Sequence, residues 1–200
     1  MELILIRHGR PVRIDEGVGP ADPELAEQGR LEAAALAEWL GGAAIDQIYT
    51  SPLRRARETA APLAGRLDLE PMIEERLAEF DRDATWYIPM EDLRDEGDPR
   101  WQELVAGDLG QYETDVEVFR ESVVGGVQDI ADRHPGRRVA VVCHGGVINA
   151  YLADVLDLDS MLFFHPDYTS ISRVLVARSG ARSLQAVNET GHLVVASLRP

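Results

Sequence analysis

The sequence predicts an α/β fold, a three-layer sandwich with a mostly parallel, helix-flanked central sheet. Three observations carry this expectation. The short runs Leu3–Ile6, Ile45–Tyr49 and Arg138–Cys143 are aliphatic without strict alternation, the pattern of strands covered on both faces. Segments with apolar residues every three or four positions lie between them, so strand and helix alternate as parallel βαβ units require. Two hundred residues, 45% of them hydrophobic, suffice for one domain with a substantial core. A single domain, 1–200, with a lid-like insertion at about 80–113, is expected.

The first strand, Leu3-Ile4-Leu5-Ile6, stops in Arg7-His8-Gly9, where glycine lets the backbone turn or approach a ligand closely. Residues 11–23, with three prolines and two glycines, read as a loop. A helix is expected from about Pro23 to Leu40, with Leu25, Leu31, Ala35, Leu36, Trp39 and Leu40 on its apolar stripe. Pro23 suits its first turn, Gly41-Gly42 ends it, and Gly29 inside it signals close packing. After Ile45–Tyr49, Thr50-Ser51-Pro52 reads as a helix start, and that helix runs to about Leu67 with Arg54, Arg55 and Arg57 in its first turns. Cations there oppose the helix macrodipole unless an anion sits among them, because the free N–H groups of a helix start also attract phosphate. Glu58 can pair with Arg54 at four-residue spacing, which leaves Arg55 as the anion-binding candidate; arginines on a solvated face are the alternative.

Glu70–Ile73 is a candidate third strand. Glu74–Gln111 is rich in acids and punctuated by glycine and proline, with short helices expected near Met90–Arg94 and Arg100–Ala106. Such an insertion would lie over one end of the sheet as a lid or substrate wall. Thr114-Asp115-Val116-Glu117 is a capping-box pattern opening a helix to about His134, whose ring suits the helix C-terminus. Gly125-Gly126 within it permits tight packing. The strand Arg138–Cys143 ends in His144-Gly145-Gly146, with a helix from about Val147 to Leu156 and Cys143 as a core residue. Ile171–Ala177 and Ser183–Val187 read as adjacent strands joined at Ser179-Gly180, and His192 as structural or exposed.

The formal charge of -15 repels nucleic acid and anionic lipid head groups, which disfavours both as partners. No apolar run approaches the roughly 20 residues of a membrane span, and Met1-Glu2 leads into the first strand without a basic leader, so a cytoplasmic location is expected. One cysteine excludes an intrachain disulfide. The oligomeric state is not legible, a homodimer being among the options.

Against this acidic background, three strand ends share one grammar: Arg7-His8-Gly9, the helix start bearing Arg55, and His144-Gly145-Gly146. In a parallel sheet the carboxyl edges lie on one side, so these groups can converge, and ligands bind along that edge. Arginine's rigid fork matches phosphate oxygens, and a neutral imidazole nitrogen can attack phosphorus. A two-histidine metal site is the rival. No H-x-H, H-E-x-x-H or D-x-D lies beside either histidine, and flanking arginines oppose a dication, so no metal or other cofactor is expected.

These segments resemble the histidine phosphatase superfamily, the phosphoglycerate-mutase-like enzymes. LILIRHGR (Leu3–Arg10) resembles the RHG box, LAEQGRLEA (Leu25–Ala33) the Leu-x-x-x-Gly helix, SPLRRARETA (Ser51–Ala60) the S-x-L-x-R-A-x-x-T box, and VVCHGGVI (Val141–Ile148) the second-histidine box. The resemblance runs from residue 2 to about 150 and implies a phosphohistidine on His8. It further implies phosphoryl clamping by Arg7 and Arg55, charge stabilisation by His144, and Glu79 of Leu77-Ala78-Glu79 as the acid/base, with Glu75 and Asp81 as fallbacks. Substrate contacts are expected from Arg7, Gly9, Arg10, Arg55, His144 and Gly145. Pro11 and Ile14 replace the Thr or Ser and the Asn common after the RHG box, a gap that Arg10 or Arg13 could fill; Glu32 takes a glutamine position and reads as peripheral. The expected activity is metal-independent hydrolysis of a small-molecule phosphate ester, releasing inorganic phosphate. Mutase-type phosphoryl transfer and a catalytically silent phosphate-binding scaffold are the alternatives.

Overall fold

The computed structural model describes residues 1–196. The strands are β1 Glu2–Arg7, β2 Gln47–Thr50, β3 Met72–Ile73, β4 Arg138–Cys143, β5 Ile171–Val176 and β6 Arg182–Glu189. They form one mixed sheet in the order β3-β2-β4-β1-β5-β6. The first four are mutually parallel; β5 runs antiparallel to β1, and β6 to β5. The helices are α1 Glu27–Leu40, α2 Arg54–Leu67, α3 Met90–Glu96, α4 Pro99–Val105, α5 Val116–Arg133, α6 Gly145–Val155 and α7 Gly191–Val195.

The pleat sorts the strand residues into two cores. Ile4, Ile6, Ile48, Ala140 and Val142 pack under α1 and α2, while Leu3, Leu5, Tyr49, Val139, Val141 and Cys143 pack under α5 and α6. That two-sided burial is why these runs are continuously apolar. Leu93, Leu104 and Leu109, from the acid-rich segment after β3, join the second core. This anchors α3 and α4 to the side of the sheet that carries α5 and α6. Among the described residues no helix is long and apolar enough to cross a membrane.

Helix starts depart from the sequence expectation because their caps come from elsewhere in the chain. Leu25 bridges to Pro11 and gives its N–H to the Glu58 carboxylate at 2.8 Å, so α1 begins at Glu27 and not at Pro23. The Asp22 carboxylate accepts the Arg54 N–H at 2.7 Å, so α2 starts at Arg54, beyond Ser51-Pro52. The cap of α5 is Asp115, which accepts the Glu117 and Val118 N–H groups at 3.0 and 3.1 Å. Thr114 instead donates its hydroxyl to the Phe80 carbonyl at 3.0 Å. Arg54 does pair with Glu58, at 2.7 Å, and His134 ends α5 with its Nε2 3.0 Å from the Tyr49 hydroxyl.

Gly29 is the tightest point of the frame. A Cβ there would stand 2.1 Å from the Arg10 carbonyl oxygen, and a Cβ on Gly9 would stand 2.7 Å from the Gly29 carbonyl oxygen. The two glycines let α1 press directly on the turn that follows β1, fixing the backbone that carries His8. Gly29→Ala is expected to destabilise the protein by ~1–3 kcal/mol, the usual cost of overpacking. Denaturant unfolding reads this, and an unchanged midpoint would rule out the close approach.

Candidate active site

The parallel sheet delivers its strand ends to one place. Just beyond β1, the His8 N–H donates to the Cys143 carbonyl at 2.9 Å; just beyond β2, the Ser51 N–H donates to the Val142 carbonyl at 3.0 Å. His144 follows β4 directly and is the N-cap of α6, which starts at Gly145, two residues earlier than its sequence suggests. The His8 and His144 rings are 5.1 Å apart between centroids. Arg7, at the end of β1, and Arg55, in the first turn of α2, flank them and are 3% and 1% exposed. A cavity of about 290 Å³ opens over this cluster, lined at its base by Arg7, His8, Arg55, Glu79 and Gly145.

Both histidines are held neutral. Burial first, then the positive charges of Arg55 and Arg7, push the His8 pKa well below its ordinary value. Its Nδ1 lies 2.8 Å from the Gly9 carbonyl, which can only accept, so the ring proton sits on Nδ1 and Nε2 keeps its lone pair. Burial and Arg55 likewise depress the His144 pKa. The Ser51 hydroxyl oxygen accepts the Leu53 N–H at 3.2 Å and lies 2.7 Å from His144 Nε2. That contact engages His144 Nε2, while His144 Nδ1 is a buried atom with no protein partner.

The arginines are half compensated. Arg7 Nη1 donates to the Glu91 carboxylate at 2.9 Å and to the Pro166 carbonyl at 2.6 Å, and its guanidinium stacks 4.0 Å over the Tyr168 ring. Arg55 Nη2 donates to Asp81 at 2.7 Å, and its guanidinium stacks 4.7 Å from the Tyr87 centroid. The remaining donors Arg7 Nε, Arg55 Nε and Arg55 Nη1 are buried without partners. Buried charged donors of this kind carry a desolvation cost until an anion meets them. Burial would raise the Glu91 carboxyl, but Arg7, His165 and the Tyr168 hydroxyl outweigh it and hold it at about 2.

Glu79 is the opposite kind of carboxylate. Burial, then Asp81, push it up to about 7, although the Gly146 and Phe80 N–H groups at 2.7 and 3.1 Å favour the ionised form. A carboxyl poised there can both give and take a proton near neutrality. A Cβ on Gly146 would stand 2.3 Å from Glu79 Oε1, so only glycine leaves the acid in place. Among the described residues no group of three or more His, Cys, Asp or Glu side chains is disposed to hold a metal ion.

The family model for the histidine phosphatase superfamily (branch 1) matches residues 3–190. The chain belongs to this superfamily. It is 30% identical over 171 residues to phosphoserine phosphatase 1 of Hydrogenobacter thermophilus, covering 82% of this chain and 80% of the relative. It is 32% identical over 184 residues to the glucosyl-3-phosphoglycerate phosphatase of Mycobacterium tuberculosis, covering 78% and 75%. Its fold matches a mutant phosphoserine phosphatase of Entamoeba histolytica in complex with phosphoserine, with TM-score 0.75, 26% identity, and 96% and 98% of the two chains covered. Family and named relatives together support phosphatase activity, and the family works generally through a phosphohistidine.

Among the residues that the superfamily resemblance singles out, Arg7, His8, Arg55, Glu79 and His144 come together, with Gly145 on the cavity wall. Arg10 and Arg13 do not line the cavity; they pair with Asp92 at 2.6 Å and with Asp15 and Glu96 at 2.7 and 2.5 Å. The Gly9 N–H is consumed by the Thr59 hydroxyl at 2.9 Å, so Gly9 contributes a turn and no backbone donor. Asp81 serves Arg55, and Glu75 is exposed, 3.7 Å from Arg82. Glu32 is not peripheral: it is buried, and its carboxylate accepts the Arg10 N–H at 2.9 Å.

Sequence reasoning missed Ser51, Thr59, Glu91 and Tyr168 as parts of the site. The serine and threonine of SPLRRARETA were present in the motif as its fixed polar ends, which was the available signal. Ser51→Ala removes the hydroxyl that orients His144. An approximately tenfold lower kcat with little change in KM is expected, the worth of one buried hydrogen bond felt in the transition state. Steady-state kinetics on any accepted ester reads it, and a parent-like kcat would remove Ser51 from the machinery.

Proposed function

We propose that this chain is an acid-type phosphomonoester hydrolase in which His8 carries the phosphoryl group and no metal takes part. The observation that carries the reading is the set of unpartnered buried guanidinium donors, Arg7 Nε and Arg55 Nε and Nη1, together with the unpartnered His144 Nδ1, beside a neutral His8. A phosphoryl group supplies the acceptors those donors lack.

In the first step His8 Nε2 attacks phosphorus, the bond to the ester oxygen breaks, and Glu79 gives its proton to the leaving oxygen. The Nδ1–H stays on the Gly9 carbonyl and stabilises the charge that develops on the ring. Arg7, Arg55 and His144 meet the phosphoryl oxygens with fixed donors, which is the main electrostatic contribution. In the second step the Glu79 carboxylate takes a proton from water, the water oxygen attacks phosphorus, and the P–N bond breaks to release phosphate and neutral His8. The E. histolytica relative is in complex with phosphoserine, which supports small phosphate esters as the substrate class here.

Hydrolysis is preferred to a phosphoglycerate-mutase role on the charge of the acid-rich segment. Between Phe80 and Tyr112 its arginines are taken: Arg82 lies 3.7 Å from Glu75, Arg94 pairs with Asp95 at 3.0 Å, and Arg100 pairs with Asp98 at 2.7 Å. None of them lines the cavity, so a phosphorylated acid would find no cation to hold it for return transfer. With 3-phosphoglycerate supplied, any phosphate release should outrun isomerisation, and the reverse order would favour the mutase.

His8→Ala should abolish turnover and the base-stable, acid-labile phosphoryl label of the parent; turnover equal to the parent would overturn the mechanism, and absence of label in the parent would favour a silent scaffold. The pH dependence follows from Glu79. The first step needs its protonated form, so kcat/KM should fall as pH rises through about 7 and be level on the acid side while His8 remains neutral. Alkyl phosphates, with poor leaving groups, should show this limb more steeply than aryl phosphates. Glu79→Gln should remove the limb and depress alkyl ester turnover by roughly 10²–10⁴-fold, the usual contribution of a general acid.

A further inference from the structure

Beyond the phosphoryl end, the cavity has a second half that the chemistry above does not use. Its walls are Ile88, Met90, Trp101 and Leu104 from the acid-rich segment, and Leu162 and Phe164 from the loop after α6. We propose that this half receives an uncharged, apolar leaving group, so that the preferred substrates are phosphomonoesters of aromatic or longer aliphatic alcohols and not phosphorylated acids. The inference rests on the hydrolase reading and deepens it.

The polar groups on these walls offer a leaving group no free cation, although His165 Nε2 is buried without a hydrogen-bond partner. Arg7 and Arg55 belong to the phosphoryl end, and each carries a carboxylate as well. Asp81 is the partner of Arg55, and neither it nor Glu79 can offer positive charge to a second anion. Burial, then the charge of Arg7, lowers the His165 pKa to about 4, which leaves that ring neutral at working pH. The Asn149 amide donates to the Gly145 and Phe164 carbonyls, both at 2.9 Å, and accepts the Phe163 and Phe164 N–H groups at 3.0 and 3.2 Å. A carboxylate on the leaving group would therefore give up its hydration without gaining a cation. An apolar group gains the burial of its own surface and of the wall.

The acid-rich segment owes its composition to the same arrangement. Three of its carboxylates bind three arginines in and after the RHG turn: Glu91 to Arg7 at 2.9 Å, Asp92 to Arg10 at 2.6 Å and Glu96 to Arg13 at 2.5 Å. These pairs seat α3 against the site and hold Ile88 and Met90, just before and at its start, as fixed walls. The acids neutralise arginines that would otherwise attract acidic substrates.

The test compares esters whose leaving alcohols are similarly poor, so that chemistry does not favour either class: ethyl, hexyl and benzyl phosphate against phosphoserine and 3-phosphoglycerate. The expected result is a kcat/KM that rises at least tenfold from ethyl to hexyl or benzyl phosphate and exceeds that for either acid at least a hundredfold. Leu162→Lys, at a half-buried wall position, supplies the missing cation; it should lower kcat/KM for benzyl phosphate and raise it for 3-phosphoglycerate, narrowing the preference at least tenfold. A profile flat with chain length, or phosphoserine or 3-phosphoglycerate turned over as well as benzyl phosphate, overturns the inference while a phosphoryl label on His8 keeps the hydrolase reading. Failure of every ester together with absence of the label overturns both.

Discussion

Two guanidinium groups buried beside a histidine are the constraint on which this structure depends. Arg7 and Arg55 are almost without solvent, and a buried cation must be compensated or the fold loses several kcal/mol. The compensation is partial by construction. One carboxylate and one tyrosine ring attend each arginine, while the inner donors stay unpaired. Burial, reinforced by the uncompensated positive field, keeps His8 neutral, and that field is the one a phosphoryl dianion would satisfy. Asp81 belongs to both halves of the device, since it holds Arg55 and also raises the Glu79 carboxyl into the range where it can work as an acid.

The frame around that pair follows from backbone geometry. Parallel pairing of β1, β2 and β4 brings Arg7, Ser51 and His144 to one edge, and the hydrogen-bond ladder continues one residue past the strands to fix His8 and Ser51. The Gly9–Gly29 contact and the Thr59 hydroxyl then set the turn. Conserving this backbone requires glycine where α1 meets the turn and again at Gly146, where a side chain would displace the acid. The cavity combines Arg7, His8, Arg55 and Glu79 with apolar walls, and the proposed recognition of a phosphoryl group and of an apolar leaving group follows that division.

Much of this was legible in the sequence because the information is local. Continuous aliphatic runs mark strands buried on both faces, and the basic residues at their ends lie within one or two positions of the last apolar side chain. What could not be read depends on partners far along the chain. Arg7 meets Glu91 across 84 positions and Arg55 meets Asp81 across 26, so the sequence places the acids of the 80–113 region in a lid or substrate wall without showing that several are counter-charges of the site. Helix starts were misplaced for the same reason: the N-termini of α1 and α2 are set by Glu58 and Asp22, not by the residues just before them. Arg10 and Arg13 had the composition of phosphate ligands, yet the charge of α3 draws them outward.

The account's central claim is that burial and the neighbouring guanidinium charges hold His8 neutral, with its proton on Nδ1 and its lone pair on Nε2. Nitrogen NMR of protein labelled with ¹⁵N in histidine, assigned with a His8→Gln variant, measures this directly. The predicted result is a His8 spectrum with one protonated and one bare ring nitrogen that persists at pH values where an ordinary histidine is mostly protonated. A His8 that titrates to imidazolium with an ordinary pKa, or that carries its proton on Nε2, would contradict the account.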